Sequence, residues 1–225
     1  MDFTDNQNLY LGISEKKDGP MKDSPKNRLL FFKNLNLDNK IIVSAGLVHK
    51  NKVLIVNNIN KSQPIPNCDA LITDQNKYLL TITVADCLPI YFYDKKKKVI
   101  ALAHAGWRGL VAEIVKKVVE RLINHYHSDL NDLEIFVGPH LQACHFEVKD
   151  DVARQFKAPD LIRNNKKIYI NLSRVAKNQL IQAGVPDANI NISHECAYCL
   201  DNKYFSYRRD KLEKLETMIA YLGLK

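Results

Sequence analysis

The stretch from Tyr78 to Glu120 constrains the fold of this chain more than any other. Tyr78-Leu-Leu-Thr-Ile-Thr-Val84 is a strand-length run of β-branched and apolar residues, closed by Ala85-Asp86-Cys87. Leu88 to Tyr93 follows at once as a second run. Lys95–Lys98 then supplies a polar turn before Val99-Ile-Ala-Leu-Ala103, which ends on His104. Ala105-Gly-Trp-Arg-Gly109 opens a helix whose apolar positions, from Leu110 through Ile114, Val115, Val118 and Val119 to Leu122, recur at helical spacing. Strands followed by such a helix commit the region to an α/β arrangement. They also put a Cys and a His at strand ends, where open α/β sheets hold their ligands.

The same grammar runs through the rest of the chain. Leu9–Ile13, Ile41–Val48, Val53–Val56, Asp69–Thr73, Leu133–Val137 and Ile190–Ile192 read as strands, and Arg28–Leu35 as a short helix. A helix is expected near Asp150–Phe156. Another is expected over Tyr169–Gly184, capped by Asn171 or Ser173 and stopped by Ala183-Gly-Val-Pro186. Residues 1–27, broken by Gly12, Gly19, Pro20 and Pro25, read as an opening strand and an irregular loop. Ile59–Asn67 reads as a proline-containing loop and Leu215–Leu222 as the last element. No repeat, linker or composition break divides the 225 residues, so one α/β domain over 1–225 is expected.

Charge and cysteine content narrow the function classes. The net charge of +8 lies largely in lysine clusters at predicted turns, with no basic stripe interleaved with aromatics. Nucleic acid is therefore not an expected partner, whereas small anionic substrates are compatible. No apolar stretch approaches the roughly 20 residues of a membrane span, and the N-terminus lacks the basic-then-apolar order of a signal peptide. A cytoplasmic protein is expected. Five cysteines, an odd count without an export signal, argue against a disulfide framework and for thiol chemistry or metal ligation.

His49, Cys87 and His104 each close an apolar run, so all three can meet at one edge of a sheet. Two imidazoles and a thiolate suit Zn²⁺ or copper, with the fourth position left to water. Plain packing is the commoner reading of strand-end His and Cys, and no HExxH or paired CxxC supports the metal. Asp86 reads either as a ligand-orienting or proton-moving acid or as a turn residue. At Gly106 to Gly109 the helix start and the Arg108 guanidinium can hold a phosphate, although Gly106 also reads as a tight-turn residue. His194-Glu-Cys196-Ala-Tyr-Cys199 suggests zinc or a redox pair. The chain has no second CxxC, however, so Cys196 and Cys199 are expected neither to bind a catalytic metal nor to cycle as a redox pair. Cys87 with His104 reads equally as a nucleophile and its base, and Cys144 with His140 or His145 as a weaker version. His125 and His127, near the end of the long helix, read as surface residues.

Four blocks together resemble one family. Thr83-Val-Ala-Asp-Cys-Leu-Pro-Ile90 is similar to its T-x-A-D-C-L-P-[VI], and His104-Ala-Gly-Trp-Arg-Gly109 to its H-A-G-W-R-G. Gly138-Pro-His-Leu-Gln-Ala-Cys-His-Phe-Glu-Val148 resembles G-P-x-I-x-x-C-x-[YF]-E-V, and Phe205-Ser-Tyr-Arg-Arg-Asp210 matches F-S-Y-R-R-D. Over about residues 41–210 the chain resembles the YfiH family, also called the laccase-domain or polyphenol-oxidase-type family. The resemblance implies a single-domain α/β/α sandwich around a mixed sheet, distantly like the deamidase domain of cytotoxic necrotizing factor. It implies a purine nucleoside phosphorylase with adenosine deaminase activity, acting on nucleoside and phosphate. Its metal ligands carry over to His49, Cys87 and His104, with Zn²⁺ or alternatively Cu²⁺. Leu47-Val-His-Lys50 departs from the family's Q-V-H-G at both flanks, and Lys211 replaces the Gly after R-R-D. Only Gly12-Ile-Ser14 and Asp18-Gly-Pro-Met21 stand in place of its R-x-G-G-V-S turn. A cysteine amidohydrolase using Cys87 and His104, a copper phenol oxidase and a non-enzymatic binding protein are the competing classes. The oxidase ranks last, because a blue site plus a trinuclear cluster asks more of seven scattered histidines than they can supply.

Overall fold

The computed structural model describes residues 7–225, so residues 1–6 of the expected N-terminal segment lie outside the described residues. β1 (Leu9–Ile13) is the opening strand. The Ser24 hydroxyl then accepts from the Asn27 amide to cap α1 (Pro25–Asn34), with proline in its first turn. The strands that follow are β2 (Ile41–Gly46), β3 (Val53–Ile55), β4 (Gln63–Pro66), β5 (Ala70–Thr73), β6 (Tyr78–Val84), β7 (Leu88–Asp94) and β8 (Val99–Ala105). α2 (Trp107–Val111) and α3 (Ile114–Tyr126) lead to β9 (Leu133–Val137). Then come β10 (Glu147–Val148), α4 (Asp150–Ala153), β11 (Leu161–Asn164), β12 (Lys167–Ile170) and α5 (Leu172–Gln182). β13 (Ile190–Ile192), α6 (Tyr207–Asp210) and β14 (Met218–Leu224) complete the chain.

The large strands form two mixed sheets, ordered β1-β14-β6-β2-β4 and β13-β9-β7-β8-β5-β3, and β10-β12-β11 is a small antiparallel third. The two large sheets stack face to face: Val43, Leu80 and Ile82 of one share a core with Leu71, Tyr91 and Leu102 of the other. The outer face of the six-stranded sheet buries Ile72, Phe92 and Ala101 against Val115, Val118 and Leu122 of α3 and Leu180 of α5. On the other side, Phe32 of α1 packs on Leu79 and Ile219. The α/β class stands, and the helices flank a double layer of mixed sheets. A strand covered on both faces reads as a continuous apolar run whether helices or a second sheet cover it.

Four local differences have plain causes. The Ile59–Asn67 loop contains β4, a strand that tolerates Pro64 and Pro66 because it lies at a sheet edge. The helix expected from Tyr169 starts at Leu172, because Ile168 and Ile170 belong to a hairpin strand and Asn171 accepts from the Arg174 amide as the cap. The long helix is broken at Ala112 and Glu113, the latter left-handed at φ 57°. The last element runs over Met218–Leu224 rather than from Leu215 and, as β14, is a strand between β1 and β6. Among the described residues, no helix is long and apolar enough to cross a membrane.

Candidate metal centre

Three times the chain leaves the five-stranded sheet for the six-stranded one: β2 to β3, β4 to β5 and β6 to β7. Because β4 and β6 both run parallel to β2, all three crossings depart from the same end of the sheet. His49 lies on the first crossing, Asp69 on the second, and Asp86 with Cys87 on the third. β8, antiparallel to both β5 and β7, pairs Ala103 with Ala70 and His104 with Pro89, which brings His104 to the same place. The donor atoms of His49, Cys87 and His104 all lie within 4.8 Å of one another. The two imidazoles meet edge to face with centroids 4.9 Å apart. The trio therefore gathers at the rim where two sheets meet, and not along one edge of a single sheet.

Each crossing carries a non-glycine residue in the left-handed region: His49 at φ 58°, Asn67 at 57° and Asp86 at 86°. Such conformations cost on the order of 1–3 kcal/mol each and persist only where surrounding contacts hold them. For His49 the holder is Asp69. Its carboxylate accepts from the amides of Val48 (3.1 Å), His49 (2.7 Å) and Lys50 (2.9 Å). The same carboxylate stands 3.7 Å from Nδ1 of His104, and the Asp69 carbonyl accepts from the His104 amide at 2.7 Å. Asp69 thus sets both histidines, as the outer carboxylate of a metal-bound imidazole does. In the sequence it reads only as the first residue of a strand. The available signal was a carboxylate leading directly into an apolar run, with no solvated face to occupy.

Electrostatics follow from these contacts. Burial works against ionising Asp69, but His104 and the loop amides outweigh it and hold its pKa below the usual carboxylate range. Burial likewise opposes a charge on His104. With no cation in place, Cys87 and Asp69 overcome that opposition and raise His104 to about 9. His49 is pushed down, by burial first and then by the neighbouring His104.

Gly106 provides a test of whether the trio can surround an ion. A Cβ there would lie 2.9 Å from Cys87 Sγ and 3.8 Å from ring carbons of His49 and His104. Its backbone is extended, at φ −76° and ψ 171°, so the glycine is required for space and not for a tight turn. The residues fit a cation with a fourth, open side. The phosphate expectation changes in form: the helix starting after Gly106 has only five residues, so little macrodipole stands behind it. Arg108 itself is exposed, its guanidinium 4.3 Å from the Trp107 ring centroid and its charge close enough to act on His49.

Asp86 stands outside the donor trio. Its Oδ2 accepts from the Arg208 amide at 2.6 Å, while Oδ1 is buried without a partner. Burial raises its pKa, with Ser206 and Arg208 pulling the other way. His140 is buried against the Gly138 carbonyl and stays neutral, pushed down to about 4 by burial. Cys144 is met by His145 at 3.1 Å, not by His140. Cys196 and Cys199 join Cys144 and His145 in a second group of donors that does not include His194.

Residues 8–225 match the model of the family described as multi-copper polyphenol oxidoreductase laccase. A purine nucleoside phosphorylase of Staphylococcus aureus strain COL is 33% identical over a 254-residue alignment that covers 96% of this chain and 92% of that protein. Another, from Staphylococcus saprophyticus, is 36% identical over 189 residues, covering 78% and 70%. Among solved structures, the hypothetical protein YfiH of Bacillus licheniformis superposes with a TM-score of 0.88 at 25% identity, covering 96% of this chain and 93% of its own. YlmD from Geobacillus stearothermophilus gives 0.86 at 25% identity, covering 97% and 93%. The family match takes in every crossing that builds the site, and the chain belongs to the multi-copper polyphenol oxidoreductase laccase family.

Proposed function

We propose that this chain is a metal-dependent purine nucleoside phosphorylase, cleaving adenosine, inosine or methylthioadenosine to the base and ribose 1-phosphate, with adenosine deaminase activity at the same centre. The observation that carries the reading is the convergence of His49, Cys87 and His104 on the space Gly106 leaves open. The name borne by the Staphylococcus relatives supports the substrate class. We place the enzyme in the cytoplasm, where thiols stay reduced, without nucleic-acid or membrane partners.

One thiolate and two neutral imidazoles leave a divalent ion one formal positive charge, so a zinc ion held by His49, Cys87 and His104 would supply Lewis acidity to the site. Arg108 binds phosphate through its exposed guanidinium, steadied against Trp107. The departing purine of phosphorolysis takes up a proton, as does the departing ammonia of deamination. Asp86, whose burial favours the protonated acid, delivers that proton from Oδ1. Asp69 keeps both imidazoles in place throughout.

Mass spectrometry of zinc-loaded protein with adenosine tests this. Adenine is expected when phosphate is present, some inosine without it, and neither from His104→Ala. Adenosine left intact with zinc and phosphate supplied would overturn the proposal.

One observation favours a second reading, a cysteine amidohydrolase. Asp69, His104 and Cys87 stand in the order of orienting acid, base and nucleophile. A thiolate bound to zinc is not a free nucleophile, so full activity in zinc-stripped protein would favour this alternative. Copper phenol oxidation ranks behind both. Of the seven histidines, two belong to the donor trio, His140 is buried on Gly138, His145 joins the other cysteines, His125 and His127 end α3, and His194 is exposed outside both donor groups. No histidine-rich second centre is left among the described residues.

A further inference from the structure

A second group of donors lies away from the crossings. The donor atoms of Cys144, His145, Cys196 and Cys199 all fall within 4.8 Å of one another. Cys144 Sγ is 3.7 Å from Cys196 Sγ and 3.8 Å from Cys199 Sγ. Nδ1 of His145 is 3.1 Å from Cys144 Sγ and 3.3 Å from Cys199 Sγ. These sulfurs are far beyond the roughly 2.05 Å of a disulfide. They stand at the spacing of about 3.8 Å that two thiolates take on a tetrahedral zinc with bonds of about 2.3 Å. The nitrogen–sulfur distances are a few tenths of an ångström shorter than the roughly 3.6 Å of the same tetrahedron.

We propose that Cys144, His145, Cys196 and Cys199 form a second, structural zinc site of the Cys₃His type, separate from the centre at His49, Cys87 and His104 and holding no substrate. All four positions of a tetrahedral ion would be taken by protein donors, which is the closed shell of a structural site and leaves none for substrate. The fold prepares the meeting. His140 forms an isolated parallel bridge with Cys196, and the Ala197 amide donates to the His140 carbonyl at 3.0 Å. The Gln142 side chain donates to the Ser193 carbonyl at 3.0 Å. Tyr198 stacks on the His145 ring at 3.9 Å between centroids and 12° between planes, which fixes the direction of Nδ1.

The position gives the ion its task. The Arg208 side chain donates to the carbonyls of His145 (3.1 Å) and Glu147 (2.8 Å), and Arg209 to those of Ala197 and Tyr198 (both 2.8 Å). An ion at the cluster therefore clamps the two loops that anchor the arginine pair, and the Arg208 amide in turn holds Asp86 beside Cys87.

Metal analysis and cobalt exchange test the proposal without reference to catalysis. Protein purified without chelator should carry about two zinc ions per chain, and Cys87→Ser/His104→Ala about one. Cobalt(II) exchanged into that double variant should show strong thiolate-to-metal charge transfer and intense tetrahedral d–d bands. Both should be lost when Cys196→Ser/Cys199→Ser is added and weakened by Cys144→Ser, a change at an exposed residue. Two results would overturn the proposal. One is a Cys87→Ser/His104→Ala protein that is folded yet holds no zinc and takes up no cobalt. The other is an intact mass two hydrogens light, showing a disulfide in the cluster in place of an ion.

Discussion

The backbone amide of Arg208 donates to Oδ2 of Asp86 at 2.6 Å, joining residues 122 apart in sequence. The contact closes the third sheet crossing against the Phe205–Asp210 block, so two of the four sequence blocks meet in one hydrogen bond. The Asp86 carbonyl is held as well, accepting from the Leu141 amide at 2.9 Å. A left-handed aspartate is thereby fixed from both sides, with Cys87 as its next residue.

In the proposed reaction Asp86 combines anchoring and proton transfer, and two substitutions separate them. Asp86→Asn keeps an acceptor for the Arg208 amide but cannot titrate. It should melt within about 2 °C of the parent while turnover falls by roughly 10²-fold or more. Asp86→Ala loses the acceptor too and should cost a further 1–3 kcal/mol or so of stability in denaturant titrations. Wild-type turnover in Asp86→Asn would make the residue an anchor only.

Gly106→Ala introduces no backbone strain, because φ −76° and ψ 171° suit any residue. The new methyl instead enters the space between Cys87 and the two imidazoles. Overpacking of about 1–3 kcal/mol, concentrated on the ligands, should weaken zinc binding by roughly 5- to 150-fold in chelator competition. The melting temperature of the zinc-free protein should scarcely move. Unchanged zinc affinity would mean that the ion does not sit in front of Gly106.

In the proposed reaction Arg108→Ala removes a charged contact to phosphate that stands outside the donor trio. Its KM for phosphate should rise by roughly 10- to 150-fold, from about 1.5–3 kcal/mol, while KM for nucleoside changes much less. Deamination uses water and should be spared by comparison. Steady-state kinetics of both reactions decide the matter, since equal losses would make Arg108 a packing partner of Trp107.

Local alternation made several elements legible: β1, β9 and β13 occur at the bounds that their β-branched runs define. β4 was hidden by its prolines, which an edge strand accommodates. The hairpin strand β12 runs straight into the capped helix α5, so the apolar pattern merges two periods, and only Asn171 marks the change. The donor trio was visible as strand-end residues, but its place between two sheets was not. A run of apolar residues does not say which sheet the next strand joins. Asp69 escaped notice because its burial and its three loop amides exist only in three dimensions. Cys144 and Cys196 are 52 residues apart, and the His140–Cys196 bridge that brings them together has no local signature.

His104 carries the pH dependence that reads directly on the metal centre. With no cation in place, its pKa is raised from 6.5 to about 9, Cys87 and Asp69 outweighing the opposition of burial. Between those values the folded chain binds more protons than the unfolded chain, so stability falls as pH rises. The contribution is fully present below the unfolded pKa and lost as pH rises through the folded one; at most it is about 3 kcal/mol. A divalent ion requires the neutral imidazole, so zinc must expel this proton. Zinc affinity should therefore strengthen by about tenfold per pH unit across the window in which stability of the zinc-free protein declines. Asp69→Asn, which keeps much of the loop's hydrogen bonding but not the charge, should bring the midpoint of both curves toward lower pH. Denaturant melts of zinc-stripped protein and chelator competition over the same pH series check the two signs. Stability that rises from pH 6.5 to 9 in the stripped protein would show that His104 does not hold its proton between Cys87 and Asp69.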